Sequence, residues 1–200
     1  MIRKPIYKLG KRLGAGIHEK CQTQKFAISE ARAQKSSKRR RNISDYGRQL
    51  LEKQKVRFAY GITEKQLQNY VKLAMKETDK VLALFRILET RLDNTAYALG
   101  IAPTRRAARQ MVAHGHLTVN DKRMKAPSYT VKKDDKVAVR DGSKDKTIFT
   151  AAADVIAKHS VPKWLNFNHK KLEGEVKSMP EYEVGTSLFD FKSVFEFYSR

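Results

Sequence analysis

The chain has 200 residues, and its 42 Lys and Arg against 21 Asp and Glu leave a formal charge of +21. A hydrophobic content of 40%, with nine Phe, eight Tyr and one Trp, excludes a wholly disordered basic tail, and no apolar run approaches the ~18 residues of a membrane span. Self-repulsion at this charge opposes a compact chain, so a polyanionic partner is expected.

The charge is not spread evenly. Residues 1–60 hold 17 bases against 4 acids, a net +13. Residues 61–87 carry +2, residues 88–140 carry +6, and residues 141–200 carry none. Charge gathered in two blocks reads as two binding footprints rather than a device for solubility.

The first block, up to about Asn42, has little hydrophobic periodicity. It contains Gly10, Gly14 and Gly16, then the run Lys38-Arg39-Arg40-Arg41. It is expected as a basic N-terminal arm over residues 1–43, either solvated or ordering against phosphate. Cys21 is the one cysteine, so no disulfide forms within the chain, which fits a reducing compartment. His18 and Cys21 stand three apart with no second ligand pair nearby, and His114 and His116 lack a Glu or Cys at ligand spacing. No metal site is expected. Phosphate-loop, dinucleotide-binding and zinc-protease strings are absent, and Met1-Ile2-Arg3-Lys4 does not begin a secretory signal.

Ser44 is placed to cap a helix in which Arg48, Lys53, Lys55 and Arg57 alternate with Leu50, Leu51, Val56 and Phe58, ending at Gly61. Thr63 and Gln66 form a capping-box pattern, and Leu67, Tyr70, Val71 and Ala74 follow as a core-facing stripe. Residues 46–87 are expected as two or three helices of a small bundle. Leu88, Leu92, Thr95, Ala96 and Leu99 then share one face of a helix that Gly100 can end. Thr104 caps the next, whose apolar stripe is Ala107, Ala108, Met111 and Val112. Arg105, Arg106 and Arg109 fall within about 100° of one another around that helix and beside its N-terminus, a place that favours anions. After Gly115 the period becomes two: Leu117 and Val119, a turn at Asn120-Asp121, then Lys122, Arg123 and Lys125 on the return. Val131 and Val137-Ala138-Val139 are expected as further short strands. The helix start and the basic hairpin would form one positive face.

The strings Leu88-Glu89-Thr90-Arg91-Leu92-Asp93-Asn94, Pro103-Thr104-Arg105, Ala108-Arg109-Gln110, His114-Gly115-His116, Val119-Asn120 and Pro127-Ser128-Tyr129 resemble the S-four RNA-binding domain. Arg39-Arg40-Arg41, Ser44-Asp45-Tyr46-Gly47, Glu52-Lys53-Gln54-Lys55, Tyr60-Gly61 and Glu64-Lys65-Gln66 extend the likeness to the bacterial small-subunit ribosomal protein S-four family. So do Val161-Pro162, Trp164-Leu165, Leu172-Glu173-Gly174, Pro180 and the closing Glu196-Phe197-Tyr198-Ser199-Arg200. The resemblance covers nearly the whole chain from about residue 38. Three departures stand out: only Cys21 remains of the zinc-binding cysteines many relatives carry, Ala33-Gln34-Lys35-Ser36-Ser37 replaces an expected Pro-Gly-Gln-His-Gly string, and Asn42 stands where a base is common. In the hairpin, Asp121 replaces the usual glycine.

The resemblance implies an α+β protein: a helical domain (44–87 with about 178–200), an S-four module with its extension inserted at 88–177, two helices packed on a small antiparallel sheet, and the arm. It implies a non-catalytic component of the small (30S) ribosomal subunit, in the cytoplasm. Such a protein binds 16S ribosomal RNA early, nucleates assembly of the 5′ domain, lines the path by which messenger RNA enters, and acts in translational accuracy with ribosomal protein S-five. Arg105, Arg106, Arg109, Gln110, His116, Lys122 and Arg123 fall on the module's implied RNA face, with Arg91 in the same module. Ser44, Tyr46, Arg48, Lys53, Lys55 and Arg57 fall on the RNA-facing helix start, and Arg39, Arg40 and Arg41 near the messenger path. No cofactor, membrane or second copy of the chain is implied. RNA-modifying enzymes carry the same module, but only 60 residues follow residue 140, too few for their catalytic domain. A free-standing binder of stalled ribosomes would leave the helical region and the C-terminal string without a use.

Overall fold

The computed structural model describes residues 6–35, 43–144, 149, 160–168, 171–183 and 187–199. In chain order its elements are helices α1 (Ile6–Leu13), α2 (Gln24–Lys35), α3 (Asp45–Ala59), α4 (Glu64–Ala74), α5 (Lys80–Glu89), α6 (Leu92–Ala98) and α7 (Arg105–Ala113). Strands β1 (Leu117–Val119), β2 (Lys122–Met124) and β3 (Lys136–Val139) follow, then α8 (Asp141–Lys144), β4 (Leu165–Asn168), β5 (Glu173–Val176) and α9 (Phe191–Tyr198). The chain divides into two compact units, Met1–Val81 with Glu183–Arg200, and Leu82–Tyr182. The second is an insertion in the sequence of the first. Among the described residues no helix is long and apolar enough to cross a membrane.

In the first unit, capping chemistry sets the helix starts. Ser44 Oγ accepts from Gly47 N at 3.2 Å and opens α3. At α4, Thr63 and Gln66 satisfy each other's backbone N–H groups in a complete capping box. α9 packs on α3 and α4, burying Phe191, Val194 and Phe195, while α3 and α4 bury Val56, Leu67, Val71 and Ala74.

The expected arm differs. Its described part is folded: α1, α2 and two 3-10 turns between them bury Leu9, Leu13, Ile17, Cys21 and Phe26. Gly10 is a close-approach point. A Cβ there would stand 2.5 Å from Cys21 Sγ and 3.0 Å from the Phe26 ring. In α1 the apolar Ile6, Leu9 and Leu13 do stand at helical spacing, a short signal that the surrounding glycines and lysines obscure, and packing recruits Ile17, Cys21 and Phe26 beyond it.

The second unit is a five-stranded antiparallel sheet, ordered β2-β1-β3-β5-β4, sharing one core with α6 and α7. Leu92, Ala96, Leu99, Ala108 and Val112 from the helices meet Leu117, Val137, Val139, Leu165 and Val176 from the strands. The β1–β2 hairpin turns at Asn120 (φ 48°) and Asp121 (φ 63°), with Val119 opposite Lys122. Two positive φ values fit the tight turn expected there, built by Asn-Asp in place of a glycine.

Three local expectations are corrected. The helix placed over Leu88–Leu99 is two helices: Arg91 is extended (φ −65°, ψ 136°), forms a bridge with Thr130, and starts α6 anew. Val131 is buried but lies outside any strand, its backbone N–H donating to Thr90 O at 2.8 Å. The electrically neutral C-terminal third, where no strand was expected, supplies β4 and β5. Glu173-Gly174-Glu175-Val176 reads as polar, and its pairing with β3 and β4 is a tertiary choice rather than a local propensity.

Candidate nucleic-acid interface

In the second unit the basic residues gather at the start of α7 and along the hairpin. Thr104 Oγ1 accepts from Ala107 N at 3.1 Å and sets the first turn, which aims orphan N–H groups outward beside the arginines. Arg106 and Gln110 are exposed, and Arg105 and Arg109 half-buried. The half-buried pair is held. Arg105 Nε donates to Asn94 Oδ1 at 2.7 Å, and its guanidinium carbon lies 4.5 Å from the Tyr97 ring centroid. Arg109 Nη1 stands 3.9 Å from Asp93 Oδ2.

Arg123 is exposed on β2, and its guanidinium reaches back to donate to Gly115 O at 3.0 Å and His114 O at 3.1 Å, satisfying the carbonyl end of α7. Gly115 makes this possible: its φ is +69°, and a Cβ there would run into that guanidinium. Lys122 and Lys125 are exposed beside it. His116 is half-buried, its Nδ1 3.0 Å from Ser143 Oγ and its ring 6.1 Å from Phe149, so it ties α8 to the sheet more than it addresses solvent. Exposed Lys132, Lys133 and Lys136 enlarge the positive surface of the sheet and its loops. Sequence reasoning passed over them because they flank the acidic Asp134-Asp135.

Arg91 is corrected as a contact residue. It is 1% exposed and forms a two-point pair with Asp93, Nε to Oδ1 at 3.0 Å and Nη2 to Oδ2 at 2.7 Å. An arginine enclosed in this way neutralises a buried carboxylate and cannot reach an RNA phosphate.

In the first unit, Tyr46 and Arg48 are exposed at the start of α3, Arg48 beside Asp45. Ser44 spends its hydroxyl on the helix cap. Lys55 pairs with Glu52 at 2.5 Å. Lys53 is a second correction: it is 6% exposed, its Nζ 2.7 Å from Glu64 and 4.4 Å from the Phe197 ring centroid. Arg57 also pairs with Glu64, at 3.1 Å, and Tyr198 OH donates to the same carboxylate at 2.7 Å. These groups fasten α9 to α3 and α4. Burial acts to raise the Glu64 carboxyl, but hydrogen bonds from Lys53 and Tyr198 and the charges of Lys53 and Arg57 outweigh it and hold its pKa below the ordinary carboxylate value. Burial first, and then the bond to Glu64, push the Tyr198 phenol up. Arg39, Arg40 and Arg41 lie outside the described residues.

The exposed bases can neutralise a polyanion, and the held ones can do so with little loss of side-chain freedom. Among the described residues no group of three or more His, Cys, Asp or Glu could hold a metal ion.

Comparison with known proteins finds relatives over nearly the whole chain. A family model described as "Ribosomal protein S4/S9 N-terminal domain" matches residues 2–89, and one described as "S4 domain" matches residues 90–137. A protein of Roseiflexus sp. (strain RS-1) named "Small ribosomal subunit protein uS4" is 43% identical over 202 residues, covering 99% of this chain and 98% of the relative. The protein of the same name from Chloroflexus aurantiacus (strain ATCC 29366 / DSM 635 / J-10-fl) is 40% identical over 200 residues, covering 98% and 97%. That of Limosilactobacillus reuteri (strain DSM 20016) is 44% identical over 164 residues, covering 81% of each.

Proposed function

The chain belongs to the uS4 family of small ribosomal subunit proteins, and from that premise we propose that it is a primary binder of 16S ribosomal RNA that nucleates assembly of the 5′ domain. It acts in the cytoplasm as a structural component, not an enzyme. The observation that carries the RNA reading is the start of α7, where Arg105, Arg106 and Arg109 crowd beside a capped helix N-terminus. The exposed hairpin bases Lys122 and Arg123 add to the same unit's positive charge. The mechanism is electrostatic: bases neutralise backbone phosphates and release counterions, while RNA shape carries most of the selectivity.

The proposal extends to the first unit. Tyr46 and Arg48 supply a second contact surface at the start of α3. Arg39, Arg40 and Arg41 line the path by which messenger RNA enters, and ribosomal protein S-five is the neighbour with which the chain shares its part in translational accuracy.

The test is to add the purified full-length chain to naked 16S RNA, with no other ribosomal protein present, and map the protected nucleotides. Protection concentrated at a multi-helix junction of the 5′ domain is the expected result. Binding that appears only after other ribosomal proteins have been added would refute primary binding.

A further inference from the structure

This inference rests on the RNA reading of α7 just given. We propose that Asn94 and Tyr97, on α6, are positioning residues that hold the Arg105 guanidinium in place for a phosphate of the RNA.

Two contacts fix the group. Asn94 Oδ1 takes the Nε–H of Arg105 at 2.7 Å, and the Tyr97 ring lies 4.5 Å from the guanidinium carbon. One contact fixes the Nε corner and the other supports the face, so position and tilt are both restrained.

Asn94 is itself immobile. It is 2% exposed, and its Nδ2 donates to Glu89 Oε2 at 2.8 Å and to Glu89 O at 3.2 Å. Those two acceptors settle the amide orientation. With its NH2 group on the glutamate, the side-chain oxygen faces Arg105; the flipped amide would set N–H against N–H and oxygen against carboxylate. The backbone beneath is anchored as well, since Leu92 N donates to Tyr129 O at 2.8 Å and Asp93 N to Pro127 O at 3.2 Å.

The residue types divide the labour. Asp93 meets the enclosed Arg91 and cancels its charge. Asn94 meets Arg105 with a neutral oxygen, which restrains the guanidinium without itself pairing its charge. An aspartate at 94 would pair the Arg105 charge directly and would set its second oxygen against the Glu89 carboxylate. A guanidinium restrained before binding loses less freedom on binding, and affinity rises without any added contact.

The experiment is a double-mutant cycle on the full-length chain, titrated into the 16S 5′-domain RNA at several salt concentrations. The variants are Arg105→Ala, Asn94→Ala and the pair. The expected result is that Asn94→Ala weakens binding roughly three- to tenfold in the wild-type background and not at all in the Arg105→Ala background. Its salt slope should match wild type, because no phosphate contact is lost. Asn94→Asp should weaken binding and lower the slope. If Asn94→Ala costs the same in both backgrounds, its role is structural and the proposal is overturned. If Arg105→Ala alone leaves affinity and slope unchanged, the RNA reading of that arginine fails, a separate outcome. Tyr97→Leu, which keeps apolar bulk and removes the ring, runs through the same cycle with Arg105→Ala and decides the matter if circular dichroism shows Asn94→Ala unfolded. Additive losses there would overturn the proposal in the same way.

Discussion

Arg91 and Arg106 show how much a basic residue's meaning depends on where the chain puts it. Arg91 is enclosed against Asp93, whereas Arg106 is exposed on the first turn of α7. Breaking the first pair takes the two-point partner from a buried carboxylate and leaves it the more distant Arg109, at 3.9 Å. Arg91→Ala is therefore expected to destabilise the second unit by about 3–5 kcal/mol in a denaturant titration; a loss below 1 kcal/mol would contradict the enclosed pairing. Replacing Arg105, Arg106 and Arg109 together with Ala should instead leave the fold intact and reduce the salt slope of RNA binding by nearly three, at ~0.9 counterions per duplex phosphate. An unchanged slope would remove them from the interface. Sequence spacing was enough to group these three arginines. It could not separate Arg91 or Lys53 from the contact residues, because burial is decided by what packs over a base: Asp93 in one case, Glu64 with the Phe197 ring in the other.

At the scale of elements, signals carried by local hydrogen bonding were legible. Ser44, Thr63 and Thr104 each accept from the backbone N–H three residues on, and the hairpin turns where Asn120-Asp121 stands. Thr63→Ala should cost about 1 kcal/mol of first-unit stability in equilibrium unfolding, since it removes one half of the capping box; no measurable loss would mean that the cap is redundant with packing. Features set by distant partners were not legible. The split between α5 and α6 depends on the bridge from Arg91 to Thr130. β5 depends on strands on both sides of it, and the fold of residues 6–35 depends on Gly10 admitting Cys21 and Phe26.

Across the molecule, charge and stability are arranged separately. The +21 excess lies mainly in the first 60 residues and the 88–140 module, while the C-terminal segment that contributes none of it returns as α9 and closes the first unit through Glu64. The Glu64 pKa is depressed on folding. Its stabilisation is therefore complete above the unfolded value, near the ordinary 4.5, and is lost as pH falls through the lower folded value. Melts recorded from about pH 6 down to about pH 3 should show wild type losing stability relative to Glu64→Gln across that window. Parallel curves would show that Glu64 carries no such linkage.

The central claim is that this chain recognises ribosomal RNA mainly by neutralising phosphate. Affinity for the 16S 5′-domain RNA, measured between about 50 and 200 mM salt, tests it most directly. With six or more phosphates neutralised the affinity should fall about a thousandfold or more over that range; an affinity that hardly changes would contradict the claim.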